Sequence, residues 1–483
     1  MKRILTVSLS LLGFATAFSL TACGGSSGGG GGSNNPPPQP LVISSAQPPA
    51  GTVGTVYSDF TFTATGGVPP LTWSETGALP TNMAFSAAGV LSGTPGSSGS
   101  FPITVDVQDS TGQKATPFDC TIQISSPPQT INMETPRTRH TAALLTTGNV
   151  LVAGGVDNDN NVLATAELFN PATSAFSSTG SMATARADHT AVPLSTGTVL
   201  VAGGGNANSN SLASAELFDP ATGTFTATGN MNVARTHHAA TLLQSGKVLV
   251  TGGQDPNLSS LASAELFDPS NGTFTPVSDM NVARGAHTAT LLQSGLVLVA
   301  GGLDSSGNAL SSAELFDPST GAFTLTGSLN TARFIHTATL LQDGTVLVAG
   351  GTDLNGDTFS SAELFDSAKG TFTPTGSMSS PRVFHTATLL DDGTVRVAGG
   401  ALLTLANCGI NCITFFPVST ATTELFDPST GSFSPAADMQ SSRSGHTATP
   451  LPGNMVLVTG GVHSRIQGRQ LLSTVLSSAE FLR

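Results

Sequence analysis

The sequence predicts an all-β protein, in which a small β-sandwich is followed by a ring of seven four-stranded blades. Three observations carry that expectation. Only 10% of the 483 residues are charged, while glycine numbers 55 and proline 29; this suits short strands and tight turns and lacks the Glu, Lys and Arg that helices favour. Alternating apolar runs fill residues 41–126. From Arg137 onward one motif repeats, in register with Gly-Gly pairs that begin at 154, 203, 252, 301, 350, 399 and 460.

At the N-terminus, Lys2 and Arg3 precede an apolar run from Ile4 to Leu20, the pattern of a secretory signal. The run ends in Leu20-Thr21-Ala22-Cys23, which resembles the bacterial lipobox. That resemblance implies a signal peptide over residues 1–22, cleavage before Cys23, and acyl chains on its sulfur as the membrane attachment. Gly24, not Asp, follows the cysteine, and the same resemblance then implies the outer membrane of a Gram-negative bacterium. Residues 23–40 are rich in Gly, Ser and Pro and read as a spacer between anchor and folded chain. A net charge of -13 offers no capture of a phosphate backbone, so nucleic acid is excluded as a partner.

Residues 41–126 form the sandwich in this reading. Phe60, Phe62 and Ala64 alternate, as do Phe101, Ile103, Val105 and Val107, and turn signals divide the runs. The stretches Gly89-Val90-Leu91-Ser92-Gly93-Thr94-Pro95 and Val105-Asp106-Val107-Gln108-Asp109-Ser110-Thr111-Gly112 are similar to the immunoglobulin-like or cadherin-like modules of bacterial surface proteins. The only Trp, Trp73, and the only Tyr, Tyr57, lie here and are expected in the core rather than as a sugar-stacking pair. Cys120 is expected to be a buried small side chain.

Residues 127–483 form the ring. Its clearest repeat runs from Arg333-Phe334-Ile335-His336 through Gly344-Thr345-Val346-Leu347-Val348-Ala349-Gly350-Gly351 to Ser361-Ala362-Glu363-Leu364-Phe365-Asp366 and Gly370-Thr371-Phe372-Thr373. Four short apolar runs divided by turn residues make an antiparallel meander, which needs neighbours to bury both faces. The double glycine and later aromatic resemble the kelch repeat, which implies a seven-bladed β-propeller. The seventh repeat reaches Arg483 after only its third strand, and Gln129 to Met133 occupies the register of the fourth. The two ends of the ring are therefore expected to share blade seven.

An Arg stands three residues before a His in every repeat, from Arg137 and His140 to Arg443 and His446, and a Glu recurs from Glu167 to Glu480. A catalytic site needs one asymmetric arrangement, so groups present in every blade point to structural clusters. Asp157, Asp255, Asp304 and Asp353, each two residues after a Gly-Gly pair, read as turn formers. The propeller contains no Tyr, which removes the copper-oxidase reading that resemblance to some kelch propellers would suggest. No catalytic residue, metal site or cofactor is assigned.

Symmetry breaks in the connections between strands two and three and between one blade and the next, which meet on one face. Residues Ala401 to Ser419, with Cys408, Cys412, Phe415 and Phe416, and Val462 to Thr474, with His463, Arg465 and Arg469, read as long loops. Phe334 and Phe384 vary between the Arg and His of their repeats. A disulfide between Cys408 and Cys412 is expected in an oxidising envelope. The chain reads as a monomeric, non-enzymatic binding or scaffold protein that contacts a protein or glycan through this face. A sugar mutarotase and a purely structural role are the alternatives.

Overall fold

The computed structural model describes residues 39–125, 131–208, 210–409, 412–467 and 470–483. The chain separates into two compact units, Met1–Pro127 and Pro128–Arg483. Cys23 and Arg469 lie outside the described residues, as do the side chains of Cys408, Cys412 and Phe415 and with them the expected disulfide.

In the first unit, Thr72–Gly77, Gly99–Gln108 and Phe118–Ser125 join Gly51–Thr52 in a four-stranded sheet. Tyr57–Thr61, Val90–Gly93 and Met83–Phe85 form a three-stranded sheet, and Val42–Ile43 pairs with Ala64–Thr65. Alternation sends Leu91, Val105 and Ile122 fully inside. Trp73 and Tyr57 are buried with them; Trp73 packs near Phe62, and the Tyr57 hydroxyl donates to the Pro49 carbonyl at 2.6 Å. Both aromatics are core. Cys120 is buried, and burial raises its thiol pKa.

The second unit contains seven four-stranded antiparallel sheets. Blade five is representative, with strands Thr337–Leu340, Val346–Ala349, Ala362–Asp366 and Thr371–Pro374. Its second strand is buried on both sides: Val346 and Val348 pack toward blade four, and Leu347 and Ala349 pack toward blade six. Blade seven takes Thr447–Leu451, Met455–Thr459 and Ser478–Leu482 from the C-terminal end and Ile131–Asn132 from the start of the unit. Ile131 pairs with Ala479 and Asn132 with Ser478, so the ring closes through a strand taken from its other end.

The blades are tied by a buried ion pair repeated seven times. In blade five, Arg333 Nη2 donates to Glu363 Oε1 at 3.0 Å, and Nη1 donates to the carbonyls of Gly350 and Ser361. Glu363 also accepts the backbone N–H groups of Asn330 and Thr331, which follow the outer strand of blade four. One carboxylate thus fixes the connection between two blades. All seven arginines are fully buried, and removing one partner of such a pair costs about 3–5 kcal/mol. The double glycine completes the joint. Gly350 and Gly351 have φ of 67° and 92°, and a Cβ on Gly350 would lie 2.5 Å from His385 Cε1 and 2.7 Å from the Arg382 carbonyl of the next blade.

The histidines depart from the expected charge clusters. Each imidazole is buried, and its Nε2 is hydrogen-bonded to a threonine hydroxyl of the preceding blade, as in His385 with Thr337 and His446 with Thr386. Burial together with the neighbouring arginine favours the neutral ring and depresses the pKa of His189, His336, His385 and His446 to about 3. Blade three lacks the usual first-strand threonine and carries Ala239 there. Directly across the ladder, Thr251 stands where most blades have alanine. Its hydroxyl meets His287 Nε2 at 2.9 Å. The hydroxyl has changed strands, and the bond has survived.

Thr251→Ala should lower stability by about 1–3 kcal/mol by orphaning His287, and adding Ala239→Thr should restore it, as read by urea unfolding. Folding lowers the histidine pKa values from 6.5, so the unfolded chain binds extra protons below that pH. Stability is intact above about pH 6.5 and falls as pH drops toward 3, by about 1.4 kcal/mol per histidine at pH 5.5. Calorimetry should therefore show a much lower Tm at pH 5.5 than at pH 7.5; an unchanged Tm would contradict buried neutral imidazoles.

Candidate functional site: the asymmetric face of the propeller

The connection entering each blade folds over the double glycine of the same repeat. Isolated bridges record this at Thr138 with Val156, Phe334 with Thr352 and Ser444 with Val462, so the two sets of variable connections share one face. At its centre, the residue before each repeated histidine adopts a left-handed backbone: Arg139, Asp188, His237, Ala286, Ile335, Phe384 and Gly445, with φ from 51° to 61°. Several are linked in sequence around the ring. Asp188 N donates to the Arg139 carbonyl, Ala286 N to His237, Ile335 N to Ala286 and Gly445 N to Phe384, at 2.9–3.2 Å. With neighbouring backbones roughly 5 Å apart, a ring of seven spans about 12 Å, small enough for one ligand group to touch opposite sides.

The ring is chemically divided. Arg139 is ion-paired with Asp188, and His237 Nε2 lies 3.7 Å from the same carboxylate. The side chains of Arg139 and His237 are 52% and 40% exposed. The opposite arc carries Ala286, Ile335 and Phe384, the last 42% exposed. An alanine, a phenylalanine and a β-branched isoleucine in the left-handed region each cost about 1–2 kcal/mol that glycine avoids.

The long connections of blades six and seven are β-hairpins, correcting the expectation of loops. Ala401–Gly409 pairs with Cys412–Ser419, and Val462–Gln467 pairs with Gln470–Val475. Each leaves its Gly-Gly pair directly as a strand, because residues such as Ile413, Thr414, Val462, Ile466 and Thr474 favour extended backbone. Side chains stitch the hairpins into the rim. Ser419 Oγ accepts from Ser464 N and donates to its carbonyl. The Asn158 amide bonds both the N–H and the C=O of Val475, and Thr358 Oγ1 accepts from Leu403 N.

Of the residues singled out from sequence, Phe384 stands in the central ring, and Phe334 lies half-buried one position before Ile335. His463 is a rim contact, its Nδ1 hydrogen-bonded to Ser442 Oγ at 2.7 Å. Arg465 is exposed on the blade-seven hairpin, and Phe416 is half-buried on the blade-six hairpin. Arg139, Asp188 and His237 escaped selection as site residues. Their shared offset from the repeated histidine, the same as that of Phe384, is the signal that finds them. The turn aspartates are occupied locally: Asp353 Oδ1 accepts from the N–H groups of Asn355 and Asp357, and Asp157 does the same for Asp159 and Asn161.

The strain in the ring is measurable. Ala286→Gly should raise stability by about 1 kcal/mol, because it relieves a left-handed alanine at the loss of one half-buried methyl; chemical denaturation checks this, and a destabilised variant would show that the methyl outweighs the strain.

Comparison with known proteins supports both units. The family described as "Putative Ig domain" matches residues 39–125, and the family described as "Kelch motif" matches residues 235–281, one repeat of the seven. No curated protein matches the chain. Among solved structures, a copper-bound fungal alcohol oxidase of the AA5 family is similar over 73% of this chain and 75% of its own, with 19% identity and a TM-score of 0.57. That likeness shows the fold. The donors here do not fit copper: the propeller has no tyrosine, seven of its nine histidines are committed to threonine hydroxyls and His463 to Ser442. Among the described residues no group of three His, Cys, Asp or Glu could hold a metal. The chain carries an immunoglobulin-like domain followed by a seven-bladed β-propeller of kelch type.

Proposed function

We infer that the protein is a non-enzymatic binding protein of the bacterial envelope, monomeric and anchored through acylated Cys23, which holds a protein or glycan ligand at the central ring of the propeller face. The observation that carries this reading is the ring itself. Seven equivalent positions share one left-handed backbone conformation, four of them donating a backbone hydrogen bond to the position before, yet they carry seven different residues arranged as a charged arc and an apolar arc. The fold would be served better by glycine at most of them. Mutually different residues around a rigid opening, of which Arg139, His237 and Phe384 are exposed, are what selective contact with a ligand requires. Asp188 is already paired with Arg139, so the ring offers recognition groups rather than a free general base.

A thermal-shift screen of residues 24–483 against oligosaccharides, cell-wall fragments and peptides tests the reading, run beside the double variant Arg139→Ala/Phe384→Ala. A ligand that raises the Tm of the parent and not of the variant is the expected result. A shift of equal size in both would place binding elsewhere, and the absence of any shift counts against a ligand site on the ring.

A further inference from the structure

The apolar surface of the propeller unit is unevenly placed. Of its exposed large hydrophobic side chains among the described residues, Leu258, Leu354, Phe384, Leu402, Ile466 and Leu472 stand on the face that carries the ring, and only Leu325, on an outer strand, does not. Three of the six belong to the two hairpins. An exposed apolar patch concentrated on one face marks an interaction surface.

Charge is distributed to match. Residues 399–422, which contain the blade-six hairpin, include no Asp, Glu, Lys or Arg, and residues 460–477 include His463, Arg465 and Arg469 but no acid. The shorter connections of the same rim carry aspartate, as at Asp157, Asp255, Asp304 and Asp353. On a chain of net charge -13, the two hairpins are therefore an acid-free wall that is both apolar and basic. Arg465 lies opposite Leu472 in the ladder, so cation and apolar group project from the same side of the hairpin. The wall is also firmly based, since Ser419, Asn158 and Thr358 tie its strands to one another and to the neighbouring connections.

We propose that the hairpins of blades six and seven form a docking wall for an anionic lipid surface, in which Leu402 and Leu472 enter the interfacial zone while Arg465 meets headgroup phosphates. Apolar side chains alone would fit many partners. Their combination with arginine, and the clearing of carboxylates from two hairpins of an otherwise acidic rim, selects a surface that is apolar beneath and negative above. Long arginine side chains suit this boundary because the stem stays with the acyl region while the guanidinium reaches outward. The contact is independent of the ligand bound at the ring, and it orients the propeller relative to the bilayer by a means separate from the acyl anchor.

The test uses residues 24–483, which retain both folded units and lack the acylated cysteine, in co-sedimentation with vesicles of phosphatidylglycerol and of phosphatidylcholine. Retention on phosphatidylglycerol, weakened by salt, is expected. Leu402→Asp/Leu472→Asp should reduce it about tenfold with Tm unchanged, since both side chains are exposed, and Arg465→Glu should abolish the preference for the anionic vesicle. No retention on either vesicle at low salt, or full retention by the double aspartate variant, overturns the proposal; the first result would turn attention to a protein partner for the wall. Arg139→Ala/Phe384→Ala should leave retention unchanged, so this proposal and the ring reading fail separately.

Discussion

Everything in the propeller depends on the buried arginine at the entrance to each blade. Its guanidinium is excluded from water, and such a charge is tolerable only where it is paired and most of its donors meet an oxygen; both terminal nitrogens do so in every blade, whereas Nε finds a carbonyl only in Arg333 and has no partner in the other six. The fold supplies these from three places: the glutamate of the third strand, the first glycine carbonyl of the Gly-Gly pair, and the residue two before the glutamate. These groups converge only when the second and third strands and the incoming connection are all in place. The ion pair is thus less a source of net stability than a condition on geometry, with the same terms imposed at every joint of the ring.

The double glycine follows from that condition. To bring the next blade's arginine carbonyl onto the N–H of Gly351, at 3.0 Å, two successive residues take left-handed backbone while the next histidine passes where a Cβ would stand. The histidine then reaches back to a threonine hydroxyl, and hydrophobic packing fills the space between sheets with valine, leucine and the paired phenylalanines, as in Phe365 and Phe372 at 4.7 Å. Polar joints set the spacing of the blades. The apolar residues between them supply the bulk of the burial.

Much of this is legible in the sequence because it is repeated. Arg, His, Glu and Gly-Gly in seven registers announce a structural rather than a catalytic role, and the fourth-strand register of Gln129 to Met133 shows how the ring closes. The histidine's partner is less legible, since the threonine it meets lies 48 residues earlier in most repeats and is one of many threonines. The hairpins are hidden for another reason. Residues 401–419 read as a loop because their apolar and polar positions do not alternate cleanly, and only cross-strand pairing such as Leu402 with Val418 and Thr404 with Phe416 gives them order. Arg139, Asp188 and His237 are obscured because residue type alone does not announce a left-handed backbone: even Asp and His, which enter it more readily than Arg, mostly stand elsewhere.

The repeats also permit a separation that a single-copy fold does not. Where variation touches a structural joint, it is compensated nearby: the threonine missing at Ala239 reappears as Thr251, and His287 keeps its hydroxyl partner. Where variation touches the central ring, no such compensation is found. Ile335 and Phe384 keep costly left-handed conformations, held by the ring's own backbone bonds from Ile335 to Ala286 and from Gly445 to Phe384, while Gly445 shows that the same position accepts the unstrained residue. Compensation is the mark of a constraint imposed by folding, and its absence at exposed positions is the mark of a constraint imposed from outside the molecule. On that distinction the joints belong to the fold, and the ring is where the binding role proposed above would act.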